Sequence, residues 1–377
     1  MTVAGFHLQA YESALAERLI AATANHEPLC LRGGGTKDFY GNAPRGTVLD
    51  LPALTNATPA ELLAAVEYEP SELVVTAPAV LPLAVLEALL AAQGQMLAFE
   101  PPRFAVGGTV GGCVAAGLAG PRRRSAGPMH GGLRDFVLGA RLVDGRGRAL
   151  AFGGRVMKNV AGYDLSRVLA GSLGVLGAIT EVSLKVLPVP FEETTLVQEC
   201  TEEEGLALVN GWAGQPLPVS ATAWEHGKLR LRLSGAIAAV SAAVARLGGE
   251  RLPDAVAAPW WDALRDQQLP YFSSNAPLWR LALPPAAPPV GLDGPQLIEW
   301  SGAQRWLKTS LPASVVREHV TTLGGHATAF RVHDRSDAST PDAFTPLAPA
   351  LLAIHRRLKA EFDPAGVLNP GRLYPEL

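Results

Sequence analysis

The chain has 377 residues, 48% of them hydrophobic and 18% charged, with a formal net charge of −3 at pH 7. That apolar content excludes an intrinsically disordered chain, and the small negative charge leaves no basic face for nucleic acid. The length exceeds what one hydrophobic core comfortably serves, so two domains are expected.

Residues 28–32 and 47–51 read as strands, each closed by glycine or proline. Residues 73–77 form a further strand, followed by an amphipathic helix over 82–93 with proline at its start and a return strand at 96–99. The apolar run 136–143 leads through DGRG (144–147) into 148–152, a hairpin with strong turn chemistry. Residues 176–187 alternate as a long half-buried strand, and Pro188 and Pro190 mark a boundary.

A new pattern begins near Glu193. It predicts a strand at 194–200, a helix at 202–212, a hairpin of 220–225 and 229–233, and an alanine-rich helix at 237–247. Strands at 279–283, 297–300 and 305–309, a helix at 313–323 and a strand at 328–332 complete it. Strands interleaved with helices and hairpins imply an α+β domain on a mainly antiparallel sheet. The proline-rich stretch 284–295 reads as an exposed loop that outside contacts would have to order. One last helix, 346–362, precedes the terminal FDPAGVLNPGRLYPEL.

The three cysteines, Cys30, Cys113 and Cys200, show no CxxC pair and no Cys/His spacing for zinc or an iron–sulfur cluster. They read as reduced thiols of a cytoplasmic protein, with no metal site. The first residues show no secretory pattern, and the longest nearly apolar run, 80–92, is short of the ~20 residues a spanning helix needs. Arg122, Arg123 and Arg124 could meet phosphate, lipid or a partner, or form a solvated loop.

Glycines carry the chemistry. RGGGTK (32–37) follows the first predicted strand, where three glycines allow positive φ and gather backbone N–H groups into an anion site. Thr36 adds a hydroxyl donor, and Arg32 or Lys37 adds charge. A plain turn between strands is the other reading. In VGGTVGGCVAAGLAG (106–120), Thr109 stands between two Gly-Gly pairs, either leaving amides open to a ligand or packing a tight helix. GSLGVLGAIT (171–180) is a further cofactor loop or an ordinary entry into a strand. No G-x-G-x-x-G and no G-x-x-x-x-G-K-[ST] is present, which argues against a Rossmann NAD site and a P-loop.

RGGGTK, PPRFAVGGTVGGCVAAG, LRDFVLGARLVDGRG, KNVAGYDLSRVLAGSLGVLGAITEVSLKVLP and FDPAGVLNPGR, in this order, resemble the vanillyl-alcohol-oxidase/PCMH family of FAD-linked oxidases. Within it, RGGGTKDFYG, GLAGPRRRSAGPMHG and GGRVMKNVAGYDLSRVLAGSLG are similar to the FAD-binding subunits of glycolate oxidase complexes. The resemblance implies an α+β fold: a two-part PCMH-type FAD-binding domain (1–190), an inserted antiparallel α+β cap (191–345), and a returning C-terminal helix segment (346–377) packed on the FAD domain. It implies that Gly33, Gly34, Gly35, Thr36 and Lys37, with Arg32 beside them, cradle the FAD pyrophosphate. Pro101, Gly107, Gly108, Thr109, Gly111 and Gly112 would line the adenine–pyrophosphate path. Gly117, Gly127 and Ile179 would lie along the ribityl chain or the flavin, and Asn369 and Arg372 would bring the C-terminal segment back.

Family members that attach FAD covalently often have histidine after RGGG; here Thr36 implies non-covalent binding. Cys113 is a buried thiol or a flavin link, and Lys158, Asn159, Tyr163 and Asp164 are cofactor neighbours or capping groups. The His-x-Gly-Asp-Gly-Asn-x-His-like metal segment of the larger 2-hydroxy-acid dehydrogenases is missing, and His130, His226 and His333 are isolated, so no catalytic base is assigned. The activity implied is oxidation of glycolate, a small 2-hydroxy acid, to glyoxylate by hydride transfer to flavin. Electrons would leave through a larger FAD-containing subunit and an iron–sulfur subunit, which would also make any contact with the inner membrane. Two alternatives stay open: a free-standing FAD oxidase of another alcohol or sugar, and a relay subunit whose flavin never meets substrate. Trp260, Trp261 and the proline loop form a partner patch or belong to the core.

Overall fold

The computed structural model describes residues 5–124, 131–154, 164–337 and 339–377. Two antiparallel sheets carry the architecture of these residues. The first has five strands in the order Glu67–Glu69, Val74–Pro78, Ala178–Lys185, Val137–Val143 and Ala149–Gly153. Its middle strand, Ala178–Lys185, buries Val182 and Leu184 against Val75, Leu86, Leu90 and Leu142, and except at Glu181 and Lys185 it is buried on both faces rather than half-buried as the alternation over 176–187 predicts. The hairpin Val137–Val143/Ala149–Gly153 closes because Asp144 Oδ1 accepts from the N–H groups of Arg146 and Arg148, both at 2.9 Å, while Gly147 takes φ 74°.

Leu29–Arg32 and Thr47–Asp50 pair in parallel, and Leu368 from the C-terminal segment bridges to Leu29 on the other side. The N-terminal helix Leu8–Ala24 covers this pair, with Leu15 and Leu19 packed on Leu29, Val143 and Leu368. Sequence reading assigned no helix there. The expected strand at 96–99 is only the two-residue pair Gln95–Met96 with Leu187–Pro188; the following residues turn.

The second sheet has eight strands in the order Glu250–Leu252, Glu192–Glu199, Lys228–Gly235, Val219–Glu225, Gln296–Glu299, Gln304–Lys308, Leu278–Ala282 and His326–Arg331. Helices Ile237–Leu247 and Ala313–Thr322 cover its two halves: Val240 and Ala243 meet Leu231 and Leu233, and Val316 and Val320 meet Leu281 and Leu307. A further helix, Asp254–Arg265, was not foreseen because Pro259 stands inside it. The proline loop is ordered from within. Arg305, fully buried, donates to the carbonyls of Ala287 at 2.6 Å, Pro288 at 2.5 Å and Gly302 at 3.2 Å.

The seam between the sheets corrects the reading of the arginine run. Arg122 is buried, with ion pairs to Glu100 and, at 2.6 Å, to Glu193; Arg232 of the second sheet donates to both Glu100 oxygens at 2.8 and 2.9 Å. Arg123 lies 4.5 Å over the Trp300 ring. Neither is a solvated loop cation or a free phosphate ligand. Trp261 is core, its Nε1 donating to Thr195 Oγ1 at 2.9 Å, while half-buried Trp260 stacks under Arg230.

Candidate functional site

Six stretches of the chain, within residues 31–38, 51, 79–80, 109–116, 173–179 and 369–372, meet around one open cleft. The loop after Leu29–Arg32 gives Arg32, Gly33, Gly34, Gly35, Thr36 and Lys37. Thr109, Gly111 and Gly112 come from the start of helix Val110–Ala116, Ile179 from the middle strand of the first sheet, and Asn369 and Arg372 from the C-terminal segment.

The first loop presents its backbone to the cleft. No N–H of residues 33–37 donates to an acceptor among the described residues. Gly34 is exposed and its neighbours half-buried, so water reaches these amides in the open cleft and a ligand's acceptors can take its place. Lys37 lies among them, buried enough that desolvation lowers its pKa, with its Nζ 3.4 Å from Thr36 Oγ1 and 5.8 Å from the centre of the Phe104 ring. Arg32 is different: half-exposed, it pairs with Asp38 at 2.7 Å.

The second glycine stretch behaves otherwise. The N–H groups of Val110, Gly111 and Gly112 donate to Leu81 O at 3.0 Å, Ala79 O at 2.7 Å and Thr109 Oγ1 at 3.1 Å, so these amides are not open as one reading expected. Their glycines serve close packing: a Cβ on Gly111 would stand 2.7 Å from that of Ala79, and one on Gly33 would stand 2.6 Å from Thr109 Oγ1. The stretch forms a floor against which the first loop lies. The loop from 171 to 173 then caps the helix, Gly171 N–H on Val114 O at 3.0 Å and Leu173 N–H on Ala115 O at 2.9 Å.

The C-terminal pair acts on the loops. Asn369, buried and at φ 44°, accepts from Leu31 N–H at 2.6 Å and donates to Leu173 O at 2.6 Å. Arg372 donates to the carbonyls of Asp38 at 2.8 Å and Asn42, fixing the far side of the first loop. Pro101, Gly107, Gly108 and Gly117 do not line the cleft. Gly107 and Gly108 stand behind the first loop, Gly117 ends the helix at φ 65° against Gly171, and Pro101 is buried. Gly127, His130, Lys158, Asn159 and Tyr163 lie outside the described residues. Sequence reading missed the apolar wall of Leu51, Ala79, Val80 and Leu173, which carries no motif.

Cys113 does not face the cleft; burial, only partly offset by the Lys37 charge, pushes its thiol up to about 12, an inert packing group. His226 and His333 are exposed and away from the cleft. Among the described residues, no group of three His, Cys, Asp or Glu side chains is placed to hold a metal ion, and no helix is long and apolar enough to cross a membrane.

Comparison with known proteins agrees with this geometry. The profile of the FAD binding domain family FAD_binding_4 matches residues 8–153. The glycolate oxidase subunit GlcE of Escherichia coli (strain K12) is 44% identical over 97% of this chain and 98% of its own length. The glycolate oxidase subunit GlcD of Bacillus subtilis (strain 168) is 30% identical over 48% of this chain and 36% of its own. Among solved structures, an alkyldihydroxyacetonephosphate synthase superposes with a TM-score of 0.62 over 94% of this chain and 74% of that one; at 15% identity this shows a shared fold.

Proposed function

Because the chain belongs to the family of the glycolate oxidase subunit GlcE, we propose that it holds FAD non-covalently in the cleft and serves a complex that oxidises glycolate to glyoxylate. The observation that carries this reading is the row of unengaged amides at 33–37, closed at one end by half-buried Lys37. A dinucleotide's diphosphate supplies the acceptors and the negative charge that this row lacks. Gly33–Lys37 bind it, Thr109, Gly111 and Gly112 support the loop from behind, and the apolar wall of Leu51, Ala79 and Val80 takes the less polar parts of the cofactor. Asn369 and Arg372 keep the loop in register rather than meeting the cofactor with free donors.

When bound, the flavin supplies the hydride acceptor; the protein's part is to bind, orient and exclude water. Non-covalent attachment is supported at the two positions considered for a link. Thr36 stands in place of a linking histidine, and buried Cys113 does not line the cleft. Electrons then pass to a larger FAD-containing subunit and an iron–sulfur subunit, which also provide any membrane contact for an otherwise cytoplasmic chain. The similarity to two glycolate oxidase subunits supports an assembly of this kind.

The test is purification of the untagged full chain from its own cells, followed by acid precipitation. FAD in the supernatant, together with co-purifying flavin and iron–sulfur bands, is the expected result. Flavin that stays with the precipitate refutes non-covalent binding, and a flavin-free chain refutes the cleft assignment.

A further inference from the structure

Among the described residues that line the cleft, Asp38 is the only carboxylate. The other charged side chains there, Arg32, Lys37 and Arg372, are cations, so a carboxylate in their midst opposes any anionic ligand. It does not sit there loosely. Asp38 N–H donates to Gly35 O at 3.2 Å, and Arg372 donates to Asp38 O at 2.8 Å, which together hold its backbone at the end of the glycine loop.

The Asp38 side chain has one ionic partner, the Arg32 guanidinium, whose Nη2 stands 2.7 Å from Asp38 Oδ2. To make this pair, Arg32 reaches across the loop. A Cβ on Gly35 would stand 2.5 Å from Arg32 Nη2 and 2.9 Å from its Cζ and Nε, so the guanidinium lies directly against the middle of the amide row. Gly35 also holds φ 69°, where a side chain would be strained as well as in the way. Arg32 thus stands beside the amides assigned above to a diphosphate, with its charge given to Asp38.

The three cations differ in how free they are to change partners. Arg372 directs its donors to the backbone carbonyls of Asp38 and Asn42, which are part of the fold. Lys37 has no carboxylate within ion-pair distance among the described residues and so has no ionic partner to give up; its Nζ stands 3.4 Å from Thr36 Oγ1. Arg32 and Asp38 form a pair that is 44% and 49% exposed, screened by water and salt, and such a pair adds little to stability. A diphosphate carries more charge than one carboxylate and offers a guanidinium the same forked geometry. The weaker anion therefore yields to the stronger.

We propose that Arg32 and Asp38 form a partner-exchange latch: Arg32 leaves Asp38 for the diphosphate as FAD binds, and Asp38 competes to take it back, which sets the rate of FAD release. The latch rests on the function proposed above. It makes Asp38 a positioning residue that restrains affinity, acting on the cofactor through Arg32. In a site without a covalent link, retention is governed by such contacts, and differences in affinity appear mainly in the release rate.

The test measures FAD binding to the full chain stripped of flavin, with Kd from flavin fluorescence and release followed after dilution. Asp38→Asn is expected to bind FAD at least about threefold tighter and to release it correspondingly more slowly, the gain shrinking as salt is raised. Asp38→Ala, which leaves no acceptor for Arg32, is expected to change Kd in the same direction. Arg32→Gln is expected to weaken binding about tenfold or more. In the Arg32→Gln background, Asp38→Asn should gain less than it does alone, because no cation is left to compete for. A carboxylate that merely braced the loop would give the opposite sign, weaker binding on its removal. Asp38 variants that bind FAD no tighter than the wild type, or an equal gain with and without Arg32, overturn the latch alone. A wild-type chain that takes up no FAD overturns the function proposed above, and the latch with it.

Discussion

Gly34 and Gly107 cross so closely that a Cβ built on Gly34 would stand 1.6 Å from the Gly107 carbonyl oxygen. The two glycine stretches therefore interlock backbone on backbone, and this contact fixes the first loop where it lines the cleft. A methyl group there has no flexible side chain to push aside. Gly34→Ala must part the loops, at a cost of about 1–3 kcal/mol for overpacking. The purified variant is expected to unfold at lower temperature and to carry only a small fraction of the wild-type flavin per chain, read from absorbance. Full flavin occupancy would show that the crossing does not shape the site.

Lys37 separates binding from stability. Its charge meets no carboxylate at ion-pair distance among the described residues, so Lys37→Met removes a half-buried, partly desolvated cation from the empty protein and is expected to leave its stability equal or higher. FAD loses a charge-assisted contact of about 1.5–3 kcal/mol, roughly a 10- to 150-fold rise in Kd. The sign of the pH effect follows from the same burial. The folded pKa lies below the ordinary 10.5, so the unfolded chain holds more protons in that window. Stability of the FAD-free protein should then rise as pH climbs toward 10.5, and Lys37→Met should flatten the rise in urea unfolding curves.

Glu100 joins the two sheets. Burial pushes its carboxyl up, but Arg232 and Arg122 outweigh that and hold it below the usual 4.5. A depressed folded pKa contributes stability above the unfolded value and loses it as pH falls through the folded one. Wild-type thermal midpoints should drop below about pH 4.5 more steeply than those of Glu100→Gln. At neutral pH that variant leaves two buried guanidinium groups short of their partner and should cost about 3–5 kcal/mol. Equal acid slopes for the two proteins would remove Glu100 from the account.

Much of this was legible in the sequence where local chemistry decides structure. DGRG at 144–147 specifies its hairpin because Asp144 can accept from its own turn and Gly147 can take positive φ. RGGGTK signals its loop because three glycines and a cation have few other uses. What stayed hidden depends on partners distant in sequence. Arg122 looks solvated until Glu100 and Glu193 are brought beside it, and the helix Asp254–Arg265 is masked by Pro259. Glu299 has no motif at all; its environment is made by Gln304, Trp306 and Arg280 on neighbouring strands.

Lys359 and Asp363 close the molecule by tying the returning segment to the cleft. Lys359 Nζ donates to Asp363 Oδ2 at 2.6 Å, to Leu368 O at 2.7 Å and to Val175 O at 2.8 Å, and both side chains are buried. Asp363 in turn accepts from the N–H groups of Val367 and Leu368, which sets the turn leading to Asn369. Removing either partner strands a buried charge, so Lys359→Met and Asp363→Leu should each cost about 3–5 kcal/mol. Replacing both with apolar groups should recover part of that loss, since a matched buried pair is often worth little over hydrophobic packing. Recovery cannot be complete, because the two N–H groups still lose their acceptor. Urea unfolding of the four proteins measures the coupling, with flavin content expected to fall alongside stability as Asn369 loosens from Leu31 and Leu173. Single effects that add within about 0.5 kcal/mol would mean that the pair does not act as a unit.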